Sequence, residues 1–150
     1  MKILWEYFLL TLRFMAGLLF IYSGFLKLIQ PVEYFQFAMG LYQFVPENLI
    51  PFFALIIPWL ELITGAFLFL GYLSKPSSFV LLCLTVLFQI VIGQAVFRGL
   101  PIEECGCFGG LIHFSPCQTY IFDSVVLLVL LALTLSPRNS FSLDSIILEN

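Results

Sequence analysis

An all-α fold, an integral membrane four-helix bundle, is what this sequence predicts, and three observations predict it. Of 150 residues 61% are hydrophobic and 10% are charged, and the mean hydropathy of +1.08 lies far outside the soluble globular range. At about 20 apolar residues per crossing, this length holds four spans in a single membrane domain covering residues 1–150. The breaks between apolar stretches carry proline, glycine, serine or clustered polar residues. The same composition excludes a cytosolic domain. Six Lys and Arg against nine Asp and Glu, a net charge of −3, also exclude a nucleic-acid surface, which needs clustered cations.

The first span is expected over about residues 7–28, closed by Gln30-Pro31 because the residue before proline leaves the helical region. Its apolar stretch from Leu4 to Leu28 exceeds the core of a signal peptide and no small-x-small cleavage site follows, so it reads as a retained span. Residues 32–48 mix Glu33, Tyr34 and Gln36 with Phe35, Phe37 and Leu41, which predicts a short interfacial helix and turn. The second span covers about 49–71, with Pro58 expected to kink it. Leu73 to Ser78 reads as a tight turn whose serines cap the next helix. The third span, about 79–97, is stopped by Arg98-Gly99-Leu100-Pro101, and an external loop over 102–118 then carries three of the four cysteines. The fourth span covers about 119–135 and ends before Pro137. No fixed-period repeat or low-complexity tract is visible.

Orientation follows from Lys and Arg near the span ends. Lys2, Lys75 and Arg138 fall on the side of the termini, Lys27 and Arg98 on the other. Both termini are therefore expected in the cytoplasm and the cysteine loop outside it.

Cys105-Gly106-Cys107, followed by Phe108-Gly109-Gly110, is the sharpest chemical feature. Two thiols two residues apart in a glycine-rich loop can reach each other, and the small ring of their disulfide would be strained and easily reduced. Cys117 supplies a third thiol suited to resolving a mixed disulfide. Three readings are open at this point: an exchanging site in which Cys105, Cys107 and Cys117 are catalytic, a static bridge from Cys105 or Cys107 to Cys117, and a metal or iron-sulfur site on Cys105, Cys107, His113 and Cys117. The C-x-C spacing is tighter than usual zinc sites prefer. Cys83, inside the third span, reads as a packing residue.

Ionisable groups inside spans need partners. Counted from the expected span ends, Arg13 and Glu61 differ in depth by about 6 Å, which predicts a structural ion pair between the first two spans. Lys27 and Asp123 stand at matching depth near the external face, with Ser23 a turn below Lys27, and predict a second pair beside the loop. Gln89 and Gly93, one turn apart, form a face that suits either a neighbouring helix or a flat ligand such as a quinone.

Taken together, Ser23-Gly24-Phe25-Leu26-Lys27-Leu28, Pro58-Trp59-Leu60-Glu61-Leu62 with Gly65, and Arg98-Gly99 leading to Cys105-Gly106-Cys107-Phe108-Gly109 resemble the methylamine-utilisation MauE family, within the DoxX-like group of small four-helix membrane proteins. The resemblance implies a bacterial inner-membrane protein of thiol redox chemistry, working with a thioredoxin-like or other cysteine-containing partner outside the cytoplasm. It matches Cys105 and Cys107 to the family's paired cysteines, Glu61 to its second-span acid and Lys27 to the lysine of its Ser-Gly-x-x-Lys motif. Family members often carry Arg with Asn or Asp at the start of the last span, where this chain has Phe122-Asp123. The leading expectation is therefore a thiol-disulfide redox protein or accessory factor. A non-catalytic subunit of a larger membrane complex, its loop stapled by a disulfide, is the alternative.

Overall fold

The computed structural model describes residues 2–99 and 116–136, in which five helices follow one another: α1 (Lys2–Ile29), α2 (Val32–Leu41), α3 (Ile50–Leu70), α4 (Ser74–Phe97) and α5 (Pro116–Leu135). Four of these, α1, α3, α4 and α5, are long and apolar enough to cross a membrane, so the chain is a multi-pass membrane protein. Successive long helices run antiparallel. One end of the bundle, the loop end, carries the close of α1, α2, the start of α3, the last turn of α4 and the start of α5. The opposite turn end carries the α3–α4 connection.

α1, α4 and α5 begin earlier than the sequence boundaries suggest, because the polar and small residues flanking an apolar stretch join its helix, whereas α3 begins where expected. α1 extends to Lys2, and α4 starts at Ser74 rather than near Phe79. The connection from α3 is correspondingly short, with Gly71 at φ 74° and Leu73 at φ 48°, both left-handed. The amides of Gly71 and Tyr72 donate back to the carbonyls of Leu68 and Phe67. The expected serine cap is absent: Leu73 occupies the cap position, and Ser78 inside the helix donates to the Ser74 carbonyl at 2.6 Å. α3 passes through Pro58 as one continuous helix.

Lipid is as apolar as a leucine side chain, so helices in a membrane associate through close packing, which small residues permit. The α1–α3 contact is built this way. A Cβ on Gly17 would come within 2.8 Å of the Phe69 amide nitrogen, one on Gly24 within 2.8 Å of the Leu62 nitrogen and the Pro58 carbonyl, and one on Gly65 within 3.0 Å of the Ile21 nitrogen. The two backbones therefore touch at three levels, and their register is fixed along the whole contact. α4 and α5 meet differently, through the Gln89 amide and the Tyr120 ring beside Gly93.

Leu9, Phe20, Leu68, Leu81 and Leu130 form the main core in the turn half of the bundle. At the loop end α2 turns its Phe35 and Ala38 inward, where Phe35 packs with Ala54 and Ile57. The helix is tied to α4 by Gln94, whose amide donates to the Tyr42 carbonyl at 2.6 Å. Cys83 is exposed on α4 and faces outward, not into the packing between helices.

Candidate functional site

Lys27 lies in the last turn of α1 and Glu61 in the middle of α3, and the glycine register brings them face to face. Lys27 Nζ donates to Glu61 Oε1 at 2.8 Å and Oε2 at 2.7 Å, and to Ser23 Oγ at 3.1 Å. Ser23 Oγ in turn donates to Glu61 Oε2 at 3.1 Å, closing a three-membered network. Glu61 is 1% and Lys27 5% exposed, so the pair sits away from both lipid and water. A buried charge of this kind persists only when its partner satisfies it, and here ammonium, carboxylate and hydroxyl each have one. The rings of Phe35 and Phe88 complete the ammonium's surroundings, their centroids 5.4 Å and 5.2 Å from Lys27 Nζ.

Asp123 and the buried Thr85 line the same small cleft, among α1, α3, α4 and α5. One ammonium and two carboxylates thus share one enclosure. Lys27 is committed to Glu61, and Asp123 faces the cleft from α5. Beyond it, burial pushes the Tyr42 hydroxyl up to about 12, and the Asp123 carboxylate adds to the shift.

The expected Arg13–Glu61 pair does not form. Arg13 is buried at the turn end, its guanidinium 3.0 Å from where a Cβ on Gly71 would stand. Gly71 and Glu61 are ten helical residues apart, about 15 Å along α3. Depth counted from span ends failed because the close approaches at Gly17, Gly24 and Gly65, not the ends of the apolar stretches, set how α1 slides along α3. In place of the expected Lys27–Asp123 pair, Lys27 binds Glu61, although all three groups meet in one cleft.

Gln89 and Gly93 face α5. The Gln89 amide donates to Ser124 Oγ at 2.7 Å and to the Tyr120 carbonyl at 3.2 Å, and the Tyr120 ring lies against Gly93. That face is a helix contact. Cys105, Cys107 and His113 lie outside the described residues, in the stretch of sequence between the last turn of α4 and the start of α5. Cys117 is described, and it is an exposed free thiol in the first turn of α5.

Phe35, Phe88 and Thr85 escape a reading of the sequence. Thr85 and Phe88 share one face of α4 at a spacing of three, a weak signal among so many apolar residues. Phe35 has no signal beyond its place on the inward face of α2.

Comparison with known proteins identifies the family. The family model described as "Methylamine utilisation protein MauE" matches residues 5–136. Protein TlpB of Flavobacterium psychrophilum is 31% identical over 151 residues, covering 92% of this chain and 40% of that protein. Methylamine utilization protein MauE of Methylorubrum extorquens is 39% identical over 67 residues, covering 45% of this chain and 36% of that protein. The matched stretches thus span 40% and 36% of the length of these relatives. No solved structure gives a significant match.

Proposed function

This chain belongs to the family of the methylamine utilisation protein MauE, and from that premise we propose that it is a bacterial plasma-membrane factor of thiol-disulfide exchange, acting through Cys105, Cys107 and Cys117 on an extracytoplasmic thioredoxin-like or other cysteine-containing protein. The observation that carries the reading is the exposed free thiol of Cys117 on the first turn of α5, with Cys107 of the Cys-Gly-Cys sequence ten residues upstream. Exchange proceeds by attack of a thiolate on one sulfur of a disulfide, release of the other sulfur as thiolate, and resolution of the mixed disulfide by a second thiol. Two electrons pass from the dithiol to the disulfide, and a third cysteine nearby gives the mixed species a second route to resolution. In Protein TlpB the matched stretch is 40% of the chain, so a membrane module of this kind occurs joined to further sequence, which fits work beside another domain or protein.

The buried pair also sharpens the orientation. Lys27 is neutralised by Glu61 inside the bundle and does not act as a free charge at the loop end. Arg98 then remains there against Lys2 and Lys75 at the turn end, which favours cytoplasmic termini and an external loop.

Cys107→Ser tests the reading in cells. The partner protein's cysteines are expected to shift from oxidised to reduced, or the reverse, relative to wild type, as read by alkylation and gel mobility. An unchanged partner redox state, together with fixed-stoichiometry copurification with a large complex, would replace the proposal with a structural subunit. Metal bound to the purified chain and lost in the same variant would replace it with a metal site.

A further inference from the structure

We propose that Asp123 is a proton-binding site, an intramembrane carboxyl that takes up and releases a proton through the loop end of the bundle; the proposal stands apart from the thiol-exchange reading. Several elements meet at this residue, and their charges do not balance. α1 brings the Lys27 ammonium to the cleft, α3 the Glu61 carboxylate, and α4 only the uncharged Thr85 and Phe88. Asp123 is the one charged residue of α5, and the Tyr42 hydroxyl on which its carboxylate acts, at the end of α2, is neutral. With both acids ionised, the cleft holds two negative charges against one positive. Within an apolar enclosure an unpartnered charge takes up a proton instead of persisting.

The geometry decides which acid receives the proton. Lys27 Nζ engages both oxygens of Glu61, at 2.8 Å and 2.7 Å, and Ser23 Oγ donates to one of them. Glu61 is thus fully committed as a carboxylate. Among the described residues no hydrogen bond or ion pair holds the carboxylate of Asp123.

Access points the same way. Asp123 is half-buried, while the other polar groups of the cleft, Ser23, Lys27, Glu61 and Thr85, are buried, so Asp123 is the group that outside water reaches. It stands seven residues after Pro116, about 10 Å in from the start of α5, and the buried Thr119 lies one turn nearer the loop end on the same face. Leu68, Leu81 and Leu130 fill the turn half of the bundle with apolar core, and the proton therefore enters and leaves at the loop end. Carrying its proton, Asp123 leaves Lys27 to the pair with Glu61; releasing it sets a second carboxylate against the same ammonium.

The test is carbodiimide labelling of the full chain in phosphatidylglycerol nanodiscs, read residue by residue by peptide mass spectrometry. Dicyclohexylcarbodiimide enters apolar sites and reacts with a carboxyl that carries its proton. The proton passes to a carbodiimide nitrogen, the carboxyl oxygen adds to the central carbon, and the adduct rearranges to a stable acylurea. Asp123 is expected to label and Glu61 to stay unlabelled, with the rate at Asp123 falling about tenfold per pH unit once the carboxyl is ionised. Lys27→Met should bring Glu61 into the labelled set, because its charge then has no partner. Asp123→Asn, which keeps the size of the side chain, should lose the label. It should also lose the infrared absorbance of a protonated carboxyl that the wild-type chain gains on acidification. A labelling rate at Asp123 that does not change with pH, labelling of Glu61 in the wild-type chain, or an infrared band that Asp123→Asn leaves unchanged would each overturn the proposal. Protection of Asp123 by sodium at constant pH would overturn it as well, by showing a metal cation as the occupant.

Discussion

The α1–α3 contact and the α4–α5 contact join helices of similar length by different means. In the first, three glycines bring backbones together and a buried ion pair lies at one end of the seam. In the second, an amide side chain reaches across to a hydroxyl and a carbonyl, and a tyrosine ring fills the space at Gly93. The difference teaches how a membrane protein affords a buried charge. A pair with both oxygens engaged tolerates little sliding, and glycine contacts at three levels remove the freedom to slide. A bifurcated amide tolerates more, and no charge rests on it.

Breaking the pair from one side gives the largest expected effect. Glu61→Ala leaves a buried ammonium beside two aromatic rings and a serine hydroxyl, and should cost about 3–5 kcal/mol in reversible unfolding from detergent micelles. The double variant Lys27→Met, Glu61→Leu removes both charges and should recover most of that loss. Failure to recover would mean that Asp123, left in the cleft without the ammonium, destabilises the bundle by itself. Gly24→Ala comes next, because the new methyl would meet backbone atoms at 2.8 Å that cannot rotate away. A loss of about 1–3 kcal/mol is expected. Its sharper signature is a separation of Lys27 from Glu61, which a distance measurement between spin labels on α1 and α3 would read as a shift in register.

Much of this architecture is legible in the sequence, for reasons that also show where legibility stops. Span number follows from apolar length, and the α2 segment from Pro31 and its polar-aromatic mixture, because both depend on local composition. The motif residues Gly24, Lys27, Glu61 and Gly65 are visible as well. Their pairing is not, since it depends on helix register, and register is decided by steric contacts between residues far apart in the chain. Arg13 illustrates the failure: its depth looked right for Glu61 when measured from the ends of apolar stretches, yet α1 starts at Lys2 and the glycines place Arg13 beside Gly71. Cys83 shows the complementary limit. Apolar sequence surrounds it on both sides, so no periodicity distinguishes a lipid-facing position from a packed one.

The α4–α5 side should respond more mildly. Gln89→Leu removes the hydrogen bonds to Ser124 and Tyr120 but leaves a side chain of similar size, and hydrogen bonds between membrane helices are worth roughly 0.6 kcal/mol on average. A loss of about 0.5–1 kcal/mol is expected in the same unfolding measurement. A loss as large as that of Glu61→Ala would erase the contrast between the two seams and assign the amide a part in fixing register.

The smallest perturbation is made with pH, at the edge where α2 meets α4. Tyr42 is held neutral by burial, with its hydroxyl pushed up to about 12, while the same group in an unfolded chain ionises near 10. The folded state therefore binds this proton more tightly. The stability that the neutral hydroxyl contributes is fully present below about pH 10 and is lost as pH rises from there through about 12. Absorbance titration of the folded protein should show Tyr42 ionising in this late window, and Tyr42→Phe should remove that phase. Tyr42 also hangs from Gln94 through its carbonyl, so ionisation should loosen the loop-end cover before it disturbs the glycine seam. Hydrogen exchange in the late window should then rise in α2 and stay low in α1 and α3. A simultaneous rise in all three would show that α2 and the ion pair beneath it open as one unit.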